Sequence, residues 1–436
     1  MKLEEVIVEF QKLGLPAMKE RELRLPTDLG GMAVTVVGLR RSGKTYLLYQ
    51  TIGELLASGV EMKEIFYINF EDNRLEGVTS ADLDRIVELY RKHNPKSDVI
   101  YLFLDEIQSV PGWELFVRRI LERRDARVFI SGSSSRLLSR EIATGLRGRS
   151  MAFRLHTLSF REFMRFRGVR FTEPFIEDER GRILSLLEEY MDFGGFPGII
   201  DYDVPLKIRA MQDYLNLIIF RDLAERYGIE KTGAMKELIR LVVKNFGNRV
   251  SIRRLYNILQ SSGAPLSRNK VYEYFSHLED VGFVLPVRKF SYGASPEAGG
   301  IAKLYIADIG FAALYSQKDV GRRMENLVAL KLMRRRDYLD GRLSVNYWHG
   351  KSGREVDFVV SRAGEVEELI QVCYDVEDYS TSEREIKAIV EAAEELGCNR
   401  LTVITWEDEG TEERDSKKIE YIPLWKFLLG DGHTHG

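Results

Sequence analysis

Two kinds of apolar spacing alternate along the first part of the chain. Unbroken β-branched and aromatic runs at Met32–Val37, Glu64–Phe70, Val99–Leu104 and in "ARVFIS" read as strands buried on both faces. Between the first two, Tyr46, Leu47, Ile52, Leu55 and Leu56 recur at helical spacing. Strands alternating with helices predict a doubly wound parallel sheet with its ligand at the carboxyl edge. Beyond residue 160 the pattern turns helical: "RILSLLEEYMDFGGFPGII" and "IRAMQDYLNLIIFRDLAERYG" are amphipathic stretches joined by Gly-Pro punctuation. Three further helices are predicted at Met235–Phe246, Ser251–Gln260 and Ser267–Val281, followed by a strand. From Met324 the chain is mixed again: helix "MENLVALKLMRRR", strands "LSVNYWHG", "EVDFVVSRAG" and "VEELIQVCYDV", a helix from Thr381 to Leu396, and strand "RLTVITW". The expected plan is an α/β nucleotide domain over 1–160, a helical connector over 161–234, a helix-and-strand segment over 235–310 and a second α/β domain over 311–436.

The loop "GLRRSGKT" joins the first strand to the first amphipathic helix, which is the context the Walker A pattern requires. Gly38 and Gly43 let the backbone of Leu39, Arg40, Arg41 and Ser42 wrap an anion with several N–H groups, and the helix adds its positive end. Lys44 brings a charge to the terminal phosphates, and Thr45 brings a hydroxyl to Mg2+. The run "DVIYLFLDEIQ" places two acids at the end of a buried strand: Asp105 for the metal shell and Glu106 to polarise the attacking water. After "ARVFIS", Ser131, Ser133 or Ser134 is positioned to sense the γ-phosphate, and Arg149, ahead of Arg147, is the candidate to neutralise transition-state charge in this subunit or a neighbour. The expected ligands are ATP and Mg2+.

The segments "VVGLRRSGKTYLL", "FYINFEDNRL", "LFLDEIQ", "FISGSSSRLLS", "LRGR" and "LSFREF" together resemble a family of archaeal and bacterial AAA-type ATPases that carry a C-terminal region of unknown function. The resemblance continues through "YMDFGGFPGII", "IIFRDLAERYGI", "KLYIADIGF", "ENLVALKL" and "GREVDFVV", so it covers most of the chain. It implies an AAA-type sheet followed by a helical lid.

In the middle segment, Ser251 and Ser267 stand where helix N-caps are expected, and Gly263 with Pro265 makes the turn between the second and third helices. This is helix-turn-helix spacing, and "FVLPVRKFSYGASPEAGGIAKLYIAD" supplies two strands and the tip of a wing. Arg253, Arg254, Arg268 and Lys270 are the candidate contacts to duplex DNA. A purely protein-facing role for the winged helix stays open beside this one.

The C-terminal arrangement resembles the restriction-endonuclease-like fold. In active members an Asp on one strand and a Glu-x-Lys on the next bind Mg2+, with a helical Glu assisting. Glu325 and Asp357 match the helical acid and the Asp, but Gln371 and Cys373 stand in the Glu-x-Lys positions. An amide is a poor replacement for a hard carboxylate ligand and a thiol cannot replace an ammonium, so this domain is expected to be an inactive relic of a nuclease.

Composition narrows the reading further. The two cysteines of the chain, Cys373 and Cys398, exclude a disulfide framework or a four-cysteine zinc site. No apolar run approaches the ~18 residues of a membrane span, so no membrane contact and a cytoplasmic location are expected. The net charge of −3 hides an asymmetry: Met235–Tyr292 carries ten basic residues against four acidic, whereas Ala363–Glu395 carries two against eleven. Any nucleic-acid face therefore belongs to the middle segment, and His433 and His435 fall in a Gly-rich tail of no expected role. The leading expectation is an ATP-driven, DNA-associated protein. A nucleotide-controlled switch acting on a protein partner or on a second copy of the chain, and an ATP-dependent nuclease, are the alternatives.

Overall fold

A computed structural model describes residues 2–93, 99–124, 126–132, 145–169, 177–263, 266–292, 300–315, 318–374 and 379–430. The predicted wing tip, Pro265, Ser133, Ser134, His433 and His435 lie outside the described residues. The chain divides into two compact units, Met1–His156 with Asp280–Gly282, and Thr157–Glu279 with Phe283–Gly436.

In the first unit, β1 (Ala33–Val37), β2 (Ile65–Asn69), β3 (Ile100–Asp105), β4 (Ala126–Gly132) and β5 (Ser150–Arg154) form one sheet in the order β2-β3-β4-β1-β5. All neighbours are parallel. The predicted runs are almost wholly buried, as a sheet covered on both faces requires. Phe103 and Phe129 stack at 4.3 Å across β3 and β4, and Trp113, Phe116 and Ile120 of the helix Trp113–Arg123 join the same core as Leu102 and Leu104. Because β4 is central, with β3 and the parallel β1 on either side of it, the residues that follow these strands meet at one edge.

The second unit begins with the helix Phe160–Phe166, closed by a reciprocal cap in which Ser159 accepts from the Glu162 N–H and Glu162 accepts from the Ser159 N–H. Helices Glu177–Phe193 and Val204–Leu217 follow, and the latter runs on into a π-helical stretch, Ile218–Glu225. The middle segment folds as helices Thr232–Lys244, Ile252–Ser261 and Arg268–Asp280 with a small antiparallel sheet, β6 (Arg249–Val250), β7 (Val284–Arg288) and β8 (Ala302–Ile306), in the order β6-β8-β7. Ser251 caps its helix by accepting from the Arg254 N–H, and Ser267 accepts from the Lys270 N–H.

The C-terminal sheet has six strands, β9 (Leu343–His349), β10 (Glu355–Arg362), β11 (Glu365–Val372), β12 (Leu401–Thr405), β13 (Gly410–Arg414) and β14 (Lys417–Pro423), in the order β13-β14-β12-β11-β10-β9. The pairings of β11 with β12 and of β12 with β14 are parallel, and the others are antiparallel. Helix Tyr379–Leu396 buries Ile386, Ile389 and Ala393 against Val356, Val359 and Leu369 of β10 and β11. Helix Val320–Tyr338 is buried along most of its length.

A buried carboxylate joins two of the Gly-rich motifs in this unit. Asp308 accepts from the N–H groups of Gly195 and Gly310, both at 2.9 Å. Gly194 has φ +73°, and a Cβ there would lie 1.7 Å from Asp308 Oδ1. Gly194→Ala therefore meets both backbone strain and a clash, and we expect a loss of about 2–4 kcal/mol in urea denaturation. A loss below about 0.5 kcal/mol would show that the contact relaxes freely.

Candidate nucleotide site

The helix Lys44–Ala57 starts at Gly43, which has φ 98°, with no side-chain cap and no acid in its first turn. Its leading N–H groups are thus left for an anion. The loop before it is tightly packed. A Cβ on Gly38 would lie 2.1 Å from the Leu155 carbonyl oxygen and 3.2 Å from Ser42 Oγ, so a side chain at residue 38 would fill the cradle. Ser42 Oγ is fully buried and has no hydrogen-bond partner among the described residues. Lys44, 5% exposed, donates to the carbonyls of Gly38 and Leu39 at 3.2 Å and lies 3.9 Å from Glu106. An orphaned hydroxyl, uncapped N–H groups and a buried ammonium fit a polyphosphate.

Asp105 is fully buried at the end of β3. It accepts from Thr45 Oγ1 at 2.7 Å, from Tyr67 Oη at 2.8 Å and from Ser131 Oγ. Ser131 also accepts from the Glu106 N–H at 3.2 Å, so one hydroxyl on β4 ties both acids together. Glu106 has left-handed backbone, φ 53° and ψ 38°, and its carboxylate accepts from Gln108 Nε2. Burial raises its pKa above the usual carboxylate range; Lys44 opposes the shift and Asp105 adds to it. Paired oxygens on Thr45 and Asp105 suit a hard divalent cation, and a buried acid beside them suits water activation.

Residues 31–164 match the AAA domain family, residues 184–320 the domain of unknown function DUF8612, and residues 320–427 the domain of unknown function DUF4143. Uncharacterized protein MJ1544 of Methanocaldococcus jannaschii is 37% identical over 406 residues, spanning 90% of this chain and 87% of its own. The chain belongs to the MJ1544 family. An uncharacterized protein of Haemophilus influenzae is 30% identical, over 78% of this chain and 82% of its own. Among solved structures, the Walker-type ATPase PABY2304 of Pyrococcus abyssi aligns over 65% of this chain and 90% of its own, at 15% identity and a TM-score of 0.41. That likeness is too distant to carry weight.

Of the two alternatives for Arg149, action within its own subunit does not fit the geometry of the AAA domain. Arg149 is not brought to the phosphate loop of its own unit. It precedes β5, whose first residue Ser150 pairs with Ala33 at the start of β1, whereas the loop follows Val37 at the other end. Four strand residues separate the two edges by about 13 Å, and the Arg149 guanidinium instead pairs with Glu122 at 3.1 Å. Arg40, expected to contribute backbone, also pairs through its side chain with Glu71 at 3.0 Å, and Arg41 has φ 69°.

Three residues of this site carry no signal in the sequence. Arg21, in a charge-rich stretch that reads as solvated, is 2% exposed and donates to the Ser42 carbonyl at 2.7 Å and the His156 carbonyl at 2.8 Å. Gln50 accepts from the Arg21 N–H at 2.7 Å and holds the segment against the helix. Tyr67 looks like an ordinary strand aromatic but is a donor to Asp105, packed against Tyr49 at 5.0 Å and Phe10 at 4.7 Å.

In the second unit, Arg253, Arg254, Arg268 and Lys270 are all exposed. Lys270 pairs with Glu273 at 2.8 Å and Arg268 lies over the Tyr272 ring at 5.7 Å, while Arg253 and Arg254 make no ion pair among the described residues. Glu325 and Asp357 both meet Lys303, at 2.7 and 2.6 Å, and Gln371 accepts from the Asp357 N–H at 3.1 Å. Cys373 is 4% exposed and sits among the apolar side chains around Ile389 and Leu369.

Arg21→Met leaves two loop carbonyls without a donor, so we expect a loss of about 1–3 kcal/mol in denaturant unfolding of the AAA domain. An unchanged midpoint would remove Arg21 as the support of the loop.

Proposed function

We propose that this chain is a Mg2+-dependent ATPase that acts on duplex DNA, with nucleotide state governing how its middle segment engages the duplex. The observation that carries the first half is the convergence of Lys44, Thr45, Asp105, Glu106 and Ser131 on one sheet edge. Mg2+ would neutralise charge on the β- and γ-phosphates of ATP. Thr45 and Asp105 would hold the metal, the loop N–H groups and Lys44 would hold the phosphates, and Ser131 would keep the two acids in register. Glu106 would take the proton of the attacking water.

Lys44→Ala is expected to weaken ATP binding in a fluorescent-nucleotide titration, whereas Glu106→Gln should retain binding and lose about 10²–10⁴-fold in turnover. Because Glu106 must be ionised to act and burial raises its pKa, the acid limb of kcat should lie above the ordinary carboxylate range. Equal loss of binding in both variants would overturn this division of roles.

For the second half, the middle segment is read as a winged helix on its three helices and three antiparallel strands, and its local excess of basic residues supports contact with phosphates. The guanidinium groups of Arg253 and Arg254, without an ion pair among the described residues, are stronger candidates than Lys270, whose charge Glu273 already offsets. Log affinity for duplex should fall linearly with log salt, and Arg253→Ala with Arg254→Ala should reduce the slope by about 2 if each meets one phosphate. If the wild type fails to bind labelled duplex even at low salt, the switch acting on a protein partner becomes the better reading.

A further inference from the structure

Lys303 has no part in the site above, yet among the described residues it is the most enclosed cation of the second unit that faces more than one acid. It lies on β8, 3% exposed, and its Nζ is 2.7 Å from Glu325 Oε1, 2.9 Å from Glu355 Oε1 and 2.6 Å from Asp357 Oδ1. An ammonium has three N–H donors and no acceptor. Here three carboxylates surround the one ammonium, Asp357 as a hydrogen-bond acceptor and Glu325 and Glu355 as ion pairs, one from the helix Val320–Tyr338 and two from β10.

The remaining oxygens of the β10 acids are also taken. Asp357 Oδ2 accepts from the Val372 N–H at 2.9 Å, and Glu355 Oε2 pairs with Arg249 Nε of β6 at 2.8 Å. Tyr305 Oη donates to Glu325 Oε1 at 2.5 Å. Gln371 is used on both sides, accepting from the Asp357 N–H at 3.1 Å and donating to Glu385. Among the described residues no group of three or more acids, histidines or cysteines is arranged to hold a metal ion.

The restriction-endonuclease-like arrangement implies Mg2+ bound by Asp357 and the acid that Gln371 replaces. The residues present do not fit it. Mg2+ demands about six oxygens in near-octahedral order, and here the oxygens of Asp357 and Glu355 are committed to protein donors. Two cations, Lys303 and Arg249, already balance Asp357 and Glu355. Burial raises Glu325 toward neutrality, to about 7, with Lys303 opposing the shift and Asp357 adding to it. Lys303 itself stays charged, because Asp357 and Glu325 more than offset the cost of its burial.

We propose that the Lys303 ammonium is the built-in cation of this acidic cluster, filling the position a divalent ion would need and joining the three-stranded sheet to β10 and the helix Val320–Tyr338. The cluster is then a metal-independent joint and not a nuclease centre. The joint is continued by the Phe290 N–H, which donates to the Tyr347 carbonyl at 2.7 Å, and by Asn346 Nδ2, which donates to the Arg288 carbonyl at 3.2 Å.

The test uses the full chain without nucleotide and Mn2+ as the probe, with bound ion counted by electron paramagnetic resonance. Wild type and Glu325→Gln, which keeps the shape of a neutral Glu325, are expected to bind the same amount of Mn2+. A Mn2+ site present in the wild type and lost in Glu325→Gln would overturn the proposal, as would Mn2+-dependent DNA cutting that this variant abolishes. Lys303→Met is expected to melt about 10 °C lower, because the buried Glu325 and Asp357 lose their counter-charge while Glu355 keeps only Arg249, or to fail to fold. Melting at the wild-type temperature would overturn the proposal. Where Lys303→Met folds, it should gain a Mn2+ site that Lys303→Met combined with Glu325→Gln lacks. A folded variant that gains none would show that the ammonium does not fill a cation position.

Discussion

A carboxylate with no exposure to water must be satisfied by the protein around it, and Asp105 sets that demand for the whole nucleotide edge. Its three donors come from three places: Thr45 at the start of the helix after β1, Tyr67 on β2, and Ser131 on β4. Meeting the demand fixes the height of β2 and β4 relative to β3 and brings the end of the phosphate loop over the sheet. Ser131 passes the constraint on by accepting from the Glu106 N–H. The chemistry expected of the two acids is therefore tied to the strand order β2-β3-β4-β1, because the serine that joins them stands on β4, next to β3.

The second unit uses buried charge differently. Arg323 and Arg334 reach main-chain carbonyls, of Met191 for the first and of Thr157 and Leu158 for the second, while Lys303 and Asp308 tie segments distant in sequence. Buried ion pairs contribute little net stability against an apolar packing of the same volume, but removing one partner is costly. Their effect is to specify which segments meet. The joint at Lys303 couples β8, of the three-stranded sheet, to β10, and no apolar pattern could select that contact so narrowly.

The sheet of the AAA domain and the loop were legible in the sequence because both write strong local signals: apolar runs of strand length for β1 to β4, and a Gly-rich loop between strand and helix. The three helices of the middle segment fell within a few residues of their expected bounds, helped by Ser251 and Ser267 acting as caps. β13, β14 and the helix Leu424–Leu429 were not anticipated; β13 is a largely exposed edge strand with Glu412, Glu413 and Arg414, whose charges read as loop. Arg21, Tyr67 and Lys303 were missed for a common reason. Each owes its place to partners far along the chain, and a lone charged or aromatic residue carries no mark of the pocket that will receive it. Arg149 shows the converse limit, since closeness in sequence to the β4 end does not place it at the same edge of its own sheet, which leaves only its role toward a neighbouring subunit open.

The left-handed backbone at Glu106 has a bearing on how such chains diverge. A residue other than glycine held at φ 53° forgoes about 1–2 kcal/mol that glycine would not. The strain is tolerable only while the carboxylate itself is useful. A lineage that kept the phosphate loop for binding alone would be free to drift to Gly or Asn at this one residue and become more stable by doing so. On the role proposed for Glu106, the residue that follows the β3 aspartate would record, in a relative, whether turnover is still under selection.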